Sequence, residues 1–597
     1  MKDGLYSAPQ KDIRFVLREV LEVERTLARH APAAAIDNET LDQIIEGADR
    51  FCHGELAPLN ATGDQQGCVL KDGKVSTPDG FRAAYEIYAA SGWPGLCAKE
   101  EDGGQALPMM ASAILGEMLS GSNISWALYP RLSEGAYRCI VANAPADLRK
   151  LYAPKLATGQ WTGTMCLTEP GAGTDLGLLR TQAAPAGDGG YLLNGTKIFI
   201  SSGEHDLTEN IVHLVLARLP GAPAGTRGVS LFLVPKRLPD AEGRPGEFNQ
   251  VFCDAIEDKL GLHGNATCVL RFEGARGYLL GEPDKGLAAM FVMMNSARLG
   301  TGAQALGLNE WGYQKSLAYA QERLQSRSPV KPKSAGYGPD PIVCQPDVRR
   351  MLLTQKVWAE SARMFLYWIA LQIDLDLHGN EEGLRREARD LLALLTPVAK
   401  AFVSDNAVES VSLAMQVHGG SGYVTDTGIE QTFRDVRILP IYEGTNGVQA
   451  NDLLARKVLP DDGARLKRLL AMIERQDQAW ADMPAMAPFL APLSSLAQRT
   501  QTLLPGLLDA AVRDPLRFSS CATDFLRIVG HLVYGYFWCR AAHAALTKLP
   551  DGDAFRSEKL AAARFYFEHL FVEVEMRIAR LSASADSIME PAALECR

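Results

Sequence analysis

Apolar residues recur at helical spacing through the first quarter of the chain, change to strand-like runs in the next, and then return to helical spacing. Residues 15–27 (FVLREVLEVERTL) and 39–52 (ETLDQIIEGADRFC) predict helices, and that style continues to about residue 156. Between about 162 and 280 the runs shorten and become β-rich: YLLNGTKIFIS at 191–201, IVHLVLARL at 211–219 and GVSLFLVP at 228–235. Asn194-Gly195 inside the first run predicts a hairpin turn, because that pair tolerates positive φ. No long helix interrupts this stretch, so it predicts a small antiparallel barrel or sandwich. Helical spacing returns after Gly286. In residues 346–373 it places Met351, Trp358, Ala362, Phe365, Leu366 and Ile369 on one stripe. A further helix over 399–418 meets Gly419-Gly420, a stop signal. The Pro- and Gly-dense stretch 326–341 predicts a loop. After about 460 the pattern is helical to the end.

The expected fold class is mostly α with a central β domain. Its expected parts are an N-terminal helical domain (1–160), a β domain (161–282), a helical bundle (283–460) and an extra C-terminal helical domain (461–597). A chain of 597 residues is too long for one core, which fits several parts. A net charge of −10 counts against a surface built to coat nucleic acid. The 11 cysteines are scattered with no C-x-x-C pair, which suits a reduced, cytoplasmic protein better than a disulfide framework or a metal site. The first residues carry no apolar core for a signal peptide, and no run of about eighteen apolar residues predicts a transmembrane segment.

Four segments carry candidate chemistry. Residues 165–177 (MCLTEPGAGTDLG) form a Glu-Pro and glycine-rich turn. Its backbone N–H groups and the hydroxyls of Thr168 and Thr174 can face a phosphate or the edge of a planar cofactor. The same residues also read as an ordinary turn. They are not the Rossmann fingerprint, whose spacing and strand–helix context differ. In KIFISSGEHD (197–206), Phe199 and Ser201 lie on one side of a strand, where a ring and a hydroxyl could flank a planar group. Taken alone, Phe199 reads first as barrel core. In MNSARLGTGAQALG (294–307), Arg298 sits among small residues, as a solvated charge or as the organiser of a buried loop.

The richest segment is 416–454, QVHGGSGYVTDTGIEQTFRDVRILPIYEGTNGVQANDLL. Glu443 follows the mostly apolar ILPIY, so poor hydration would raise its pKa toward the range a base needs near neutral pH. Thr445 and Asn446 would cap the next helix, whose N-terminus can accept a pyrophosphate. A surface glutamate beside an N-cap remains the alternative. Gly420-Ser421-Gly422 does not meet the nucleophile-elbow pattern.

Taken together and in this order, these segments resemble the acyl-CoA dehydrogenase family over roughly residues 40–460. The resemblance implies an FAD enzyme that takes an acyl-CoA thioester to its trans-2-enoyl-CoA. It implies a helical, β and helical-bundle layout, with FAD reaching across the interface of a homodimer. Glu443 then becomes the base for the α-proton, while the β-hydride goes to flavin N5. The Glu443 backbone N–H and a ribityl hydroxyl hold the thioester carbonyl. Cofactor contacts fall on Thr168, Thr174, Phe199, Ser201, Arg323, Gln416, Gly420, Thr445 and Asn446. Substrate contacts fall on Thr174, Asn295, Arg298 and Gly444. Electron-transfer flavoprotein is the implied acceptor.

Two departures stand out: Ser326 replaces the family's aromatic after Arg323, and Ser296 and Ala297 offer no rival glutamate beside Arg298. The length, the DGLYSAPQKDIRFVL opening and the C-terminal helices look like the long bacterial branch. That branch includes 3-methylmercaptopropionyl-CoA dehydrogenase and several fatty acyl-CoA dehydrogenases. A fatty acyl-CoA in β-oxidation is the expected substrate, with 3-methylmercaptopropionyl-CoA as the alternative. An acyl-CoA oxidase or a nitroalkane oxidase-like enzyme would keep the flavin. A DNA-binding flavoprotein is the rival of another class, and the acidic composition opposes it.

Overall fold

The computed structural model describes residues 4–329 and 338–590, so the part of the expected loop at 330–337 lies outside the described residues. The chain packs into two compact units. The first comprises residues up to Ala8, Gln43–Gly307 and Glu430–Ile438; the second comprises Pro9–Asp42, Leu308–Ile429 and residues from Leu439 onward.

In the first unit a seven-stranded sheet forms the centre, built from Thr162–Cys166 (β1), Gln182–Pro185 (β2), Tyr191–Ser201 (β3), Ile211–Ala217 (β4), Ser230–Pro235 (β5), Val251–Ile256 (β6) and Thr267–Leu280 (β7). The strand order is β1-β4-β5-β7-β3-β2, with β6 also pairing β7. Every residue of β4 and of β5 is buried. Alternate side chains serve opposite faces: Val212, Leu214 and Leu216 join one apolar cluster, while Val215 and Ala217 join another. That double burial is why these runs read as nearly continuous apolar stretches. The helix Met109–Asn143 (α1) and helix Ala146–Ala157 supply residues such as Ile140 and Leu156 to the first cluster. Within α1, Asn123 leaves helical geometry, and its Oδ1 accepts the Trp126 N–H at 3.0 Å, capping the second half.

Two expectations are corrected here. The sheet is not wholly antiparallel, because β1 and β4 run parallel. Asn194-Gly195 makes no hairpin: β3 runs straight through it, with Asn194 opposite Glu273 and Gly195 opposite Phe272 of β7. The glycine serves close approach instead. A Cβ there would lie 2.4 Å from Thr181 Oγ1.

The second unit is helical. Helix Gly286–Glu322 (α2) contributes its C-terminal part, followed by Pro346–His378 (α3) and Glu382–His418 (α4), which stops at left-handed Gly419 as expected. The stripe Met351, Trp358, Ala362, Phe365, Leu366 and Ile369 on α3 is buried. The short helices Ile429–Val436 (α5), in the first unit, and Asn446–Asn451 (α6), in the second, flank the Glu443 loop in sequence. Ala522–Lys548 (α7) covers α3 and α4: Trp538 Nε1 donates to Ser361 Oγ at 2.7 Å, and Tyr534 meets Phe402 edge-on at 4.9 Å. Residues 15–27, expected as one helix, are interrupted at Leu21 and left-handed Glu22. The reason is tertiary: Arg540 and Lys548 of α7 donate to the carbonyls of Val20 and Glu19 at 2.7 and 3.0 Å. Among the described residues one helical stretch, Glu382–Gly422, is long and apolar enough to cross a membrane, but its most apolar window is 78% buried, as a core helix is.

Candidate active site

In the first unit the glycine-rich turn after β1 is tied to β3. The Ile198 N–H donates to the Thr168 carbonyl at 2.9 Å, so Thr168 lies beside the residue preceding Phe199. Glu169 and Ala172 exchange backbone hydrogen bonds at 3.0 Å and close the Pro170-Gly171 turn. Beneath it, Lys197 is fully buried, and its Nζ donates to Glu169 Oε1 at 2.8 Å and to the Leu167 carbonyl at 3.0 Å. Glu169 also accepts from Thr181 Oγ1 at 2.6 Å and from the Arg180 N–H at 2.6 Å. Burial pushes the Glu169 carboxyl up, but the Lys197 ammonium and these donors hold it below its ordinary value. Burial holds Lys197 below its own.

Phe199 stands on a bulge. Between Lys197 and Ile200, β3 has one residue more than its partner, and Phe199 takes φ 57°. The residue is 59% exposed, which excludes the barrel-core reading. Ile200 between Phe199 and Ser201 is buried, while Phe199 is exposed and Ser201 partly exposed. A bulky left-handed residue holding an exposed ring is strained, and strain of this kind clusters at ligand and active sites. Thr174 is exposed further along the turn, and Asp175 caps the following short turn through the Gly177 N–H at 2.9 Å.

On α2, Arg298 is buried and Asn295 exposed. One turn on, Gly300 and Gln304 border an open cleft that Tyr85, Trp93, Leu115 and Leu119 also line. One wall is charged: Glu134 accepts from Ser112 Oγ at 3.1 Å and lies 3.5 and 3.8 Å from Arg131 and Arg138.

In the second unit Arg323 and Gln416 belong to one neighbourhood. The last turn of α2 stacks Tyr319 on His418 at 4.5 Å, and Tyr319 Oη donates to Ser421 Oγ at 3.4 Å. Arg323, Gln416 and Gly420 are all exposed there. Glu443 sits in a turn of two left-handed residues, with φ 58° at Glu443 and 77° at Gly444, and is half-buried. The Asn446 N–H closes the loop onto the Pro440 carbonyl at 3.0 Å. Thr445 caps α6 by accepting from the Val448 N–H at 3.3 Å. Asn446, expected beside a cofactor, gives its side chain to α4. It accepts from Lys400 Nζ at 2.7 Å and donates to Asp405 Oδ1 at 2.6 Å.

Comparison with known proteins settles the family. Models of the acyl-CoA dehydrogenase N-terminal, middle and C-terminal domains match residues 38–160, 164–275 and 284–458, and an acetyl-CoA dehydrogenase C-terminal-like model matches 466–591. The chain belongs to the acyl-CoA dehydrogenase family. It is similar to 3-methylmercaptopropionyl-CoA dehydrogenase of Ruegeria pomeroyi, at 40% identity over 98% of this chain and 99% of the relative. A broad-specificity linear acyl-CoA dehydrogenase of Mycobacterium tuberculosis is 34% identical over 94% of this chain and 95% of its own. An acyl-CoA dehydrogenase from Bacillus anthracis, solved with FAD, shares the fold with a TM-score of 0.74 at 21% identity. That match covers 91% of this chain and 88% of that one.

This acyl-CoA dehydrogenase is therefore an FAD-dependent oxidoreductase. The residues present fit that cofactor. The exposed, strained Phe199 ring beside Thr168 offers a face to a planar group, and nothing lies within 4 Å of where a Cβ would stand at Gly171 or Gly173 of the neighbouring turn. Three supporting residues escaped the sequence reading: Glu169, Lys197 and Gln449. A lysine at an inward position of a β run was the signal for the first two. Gln449 had none.

Proposed function

We propose that Glu443 is the base that removes the α-proton of an acyl-CoA thioester, the chain's activity being α,β-dehydrogenation. The observation that carries this is the turn itself. Glutamate pays to be left-handed where glycine does not, and here the loop closure and the capped helix hold it so. When bound, FAD supplies the acceptor for the hydride equivalent that leaves the β-carbon. The Glu443 carboxylate takes the proton, and its backbone N–H holds the thioester carbonyl as negative charge develops on it, worth roughly 3 kcal/mol for one donor. Thr168, Phe199 and Ser201 would hold the ring of the cofactor and Thr445 its pyrophosphate, while Arg323, Gln416 and Gly420 would reach the FAD of the partner subunit. Thr174, Asn295, Arg298 and Gly444 would serve the substrate.

The reading extends to a homodimer, cytoplasmic, that passes electrons to an electron-transfer flavoprotein in β-oxidation. The cleft between α1 and α2 supports an acyl group of limited length, because a long chain would desolvate Arg131, Glu134 and Arg138. Short acyl groups and the methylthio-propionyl group then lead, the latter favoured by the 40% identity to the Ruegeria pomeroyi relative. Anaerobic bleaching of the flavin by a series of short, medium, long and methylthio acyl-CoAs tests this; fastest bleaching by the long chains would refute it. Glu443→Gln should keep FAD bound and lose bleaching by at least about a hundredfold. Retained bleaching would remove Glu443 from its role.

A further inference from the structure

Gln449 lies one turn into α6, fully buried, and its side chain points back at the Glu443 turn. Its Nε2 donates to the Glu443 carbonyl at 3.0 Å and to the Gly444 carbonyl at 3.4 Å. A Cβ on Gly444 would stand 2.8 Å from that same nitrogen, so turn and amide are fitted to each other. The other end of the amide tells against a purely structural role. Among the described residues, the buried Oε1 has no hydrogen-bond partner. An amide oxygen buried without a partner costs stability, and an apolar side chain of the same length would avoid that cost. A buried amide that leaves its oxygen unpaired while its donor meets the two left-handed residues acts on the turn.

We infer that Gln449 is a positioning residue for proton abstraction: its amide fixes the left-handed Glu443–Gly444 turn and so aims the carboxylate and the backbone N–H groups beside it. The inference rests on Glu443 being the base. Each peptide unit is planar, with C=O and N–H on opposite sides, so holding the Glu443 carbonyl also fixes where the Gly444 N–H points. Without the amide the Pro440–Asn446 bond and the Thr445 cap still close the loop, but the Glu443–Gly444 peptide is no longer held and can turn toward the ordinary φ < 0 regions, displacing the carboxylate by roughly an ångström. Misplacement of that order costs catalysis about a hundredfold and leaves ground-state binding of the rest of the CoA thioester largely untouched.

The test uses FAD-loaded full-length protein and three variants: Gln449→Met, Gln449→Glu and, as control, Glu443→Gln. Limiting rates of anaerobic flavin reduction are measured by stopped flow with the acyl-CoA that reduces the unaltered enzyme fastest. Gln449→Met keeps the length of the side chain and removes both the donor and the orphan oxygen. It should retain FAD and its thermal midpoint while the limiting rate falls about ten- to a hundredfold at little-changed half-saturation. In Gln449→Glu the ionised carboxylate cannot donate. Its rate should be lowest at pH 8 and recover as the pH falls and the carboxyl regains a proton to donate, a recovery the unaltered enzyme lacks.

A Gln449→Met rate within twofold of the unaltered enzyme overturns the inference. So does a fall in rate that comes together with lost FAD and a lowered midpoint, since that marks packing alone. In both cases a dead Glu443→Gln leaves the reading of Glu443 standing. If Glu443→Gln still bleaches, the base assignment falls and the role of Gln449 falls with it.

Discussion

Lys197 and Glu169 are the residues on which the glycine-rich turn depends. Their charges are nearly sealed from water, with side-chain exposures of 0% and 7% at 2.8 Å separation. Removing one partner of such a pair leaves the other as an uncompensated buried charge, which costs more than the pair contributes. Glu169→Ala should destabilise the first unit by roughly 3–5 kcal/mol and lower FAD retention, because the same carboxylate also accepts the Arg180 and Thr181 N–H groups. Urea unfolding followed by flavin release checks it, and Glu169→Ala with Lys197→Met should recover part of the loss. The turn was legible in the local pattern Glu-Pro-Gly. Its anchor was not, since Lys197 is 28 residues away and meets Glu169 only once β3 has formed.

At the scale of elements, α5 shows how a short helix is held by what it reaches. Asp435 on α5 is buried, and its Oδ1 accepts the Leu262 N–H at 2.6 Å, while Arg434 pairs with Asp64 at 2.6 Å. Burial raises the Asp435 carboxyl to about 6, and Asp64 adds to this, against the pull of Leu262, Arg434 and Gln431. A carboxyl raised in the folded state binds its proton more tightly folded than unfolded. Its contribution to stability is therefore complete below about pH 4 and lost as the pH climbs through about 6, a change on the order of 3 kcal/mol. Asp435→Asn removes this dependence. The thermal midpoint of the variant relative to the unaltered chain should rise between pH 4.5 and 7, and a constant difference would show that Asp435 does not titrate there. Periodicity located the strands but not their pairing. The Asn194-Gly195 turn signal lost to a ladder along β7, and the bulge at Phe199 left no trace in the two-residue alternation.

For the whole molecule, the C-terminal helices are part of the second unit's core. Asp12 near the start of the chain is bound by both Lys559 and Arg363, Arg363 reaches Glu310 at 2.8 Å, and Lys559 reaches Glu360 at 2.8 Å. Burial pushes Asp12 up, but the Lys559 and Arg363 charges hold it well below the usual carboxylate range. Around them, Trp358 packs on Tyr534 and Tyr566, and Trp538 bonds Ser361. A chain ending after residue 460 would expose this apolar face and leave Asp12, Arg363 and Glu360 without Lys559. It should not yield soluble, FAD-loaded protein. Size-exclusion chromatography with the flavin absorbance recorded decides this, and a folded flavoprotein of 460 residues would contradict it.

Hydrophobic period by itself determined the order of helices, β domain and helices, because burial of one face imposes spacing on every element regardless of its partners. The ordered motifs around Thr168, Phe199, Arg298 and Glu443 determined the family, since backbone–cofactor chemistry leaves glycines, prolines and hydroxyls at fixed local spacing. Tertiary structure alone decided the interruption at Glu22, the parallel β1–β4 pair, the burial of Lys197 and the grip of Gln449 on the Glu443 turn. Each depends on a donor, a charge or a backbone brought in from elsewhere in the chain or from the far side of a turn. No periodicity within one element encodes where such a partner will stand.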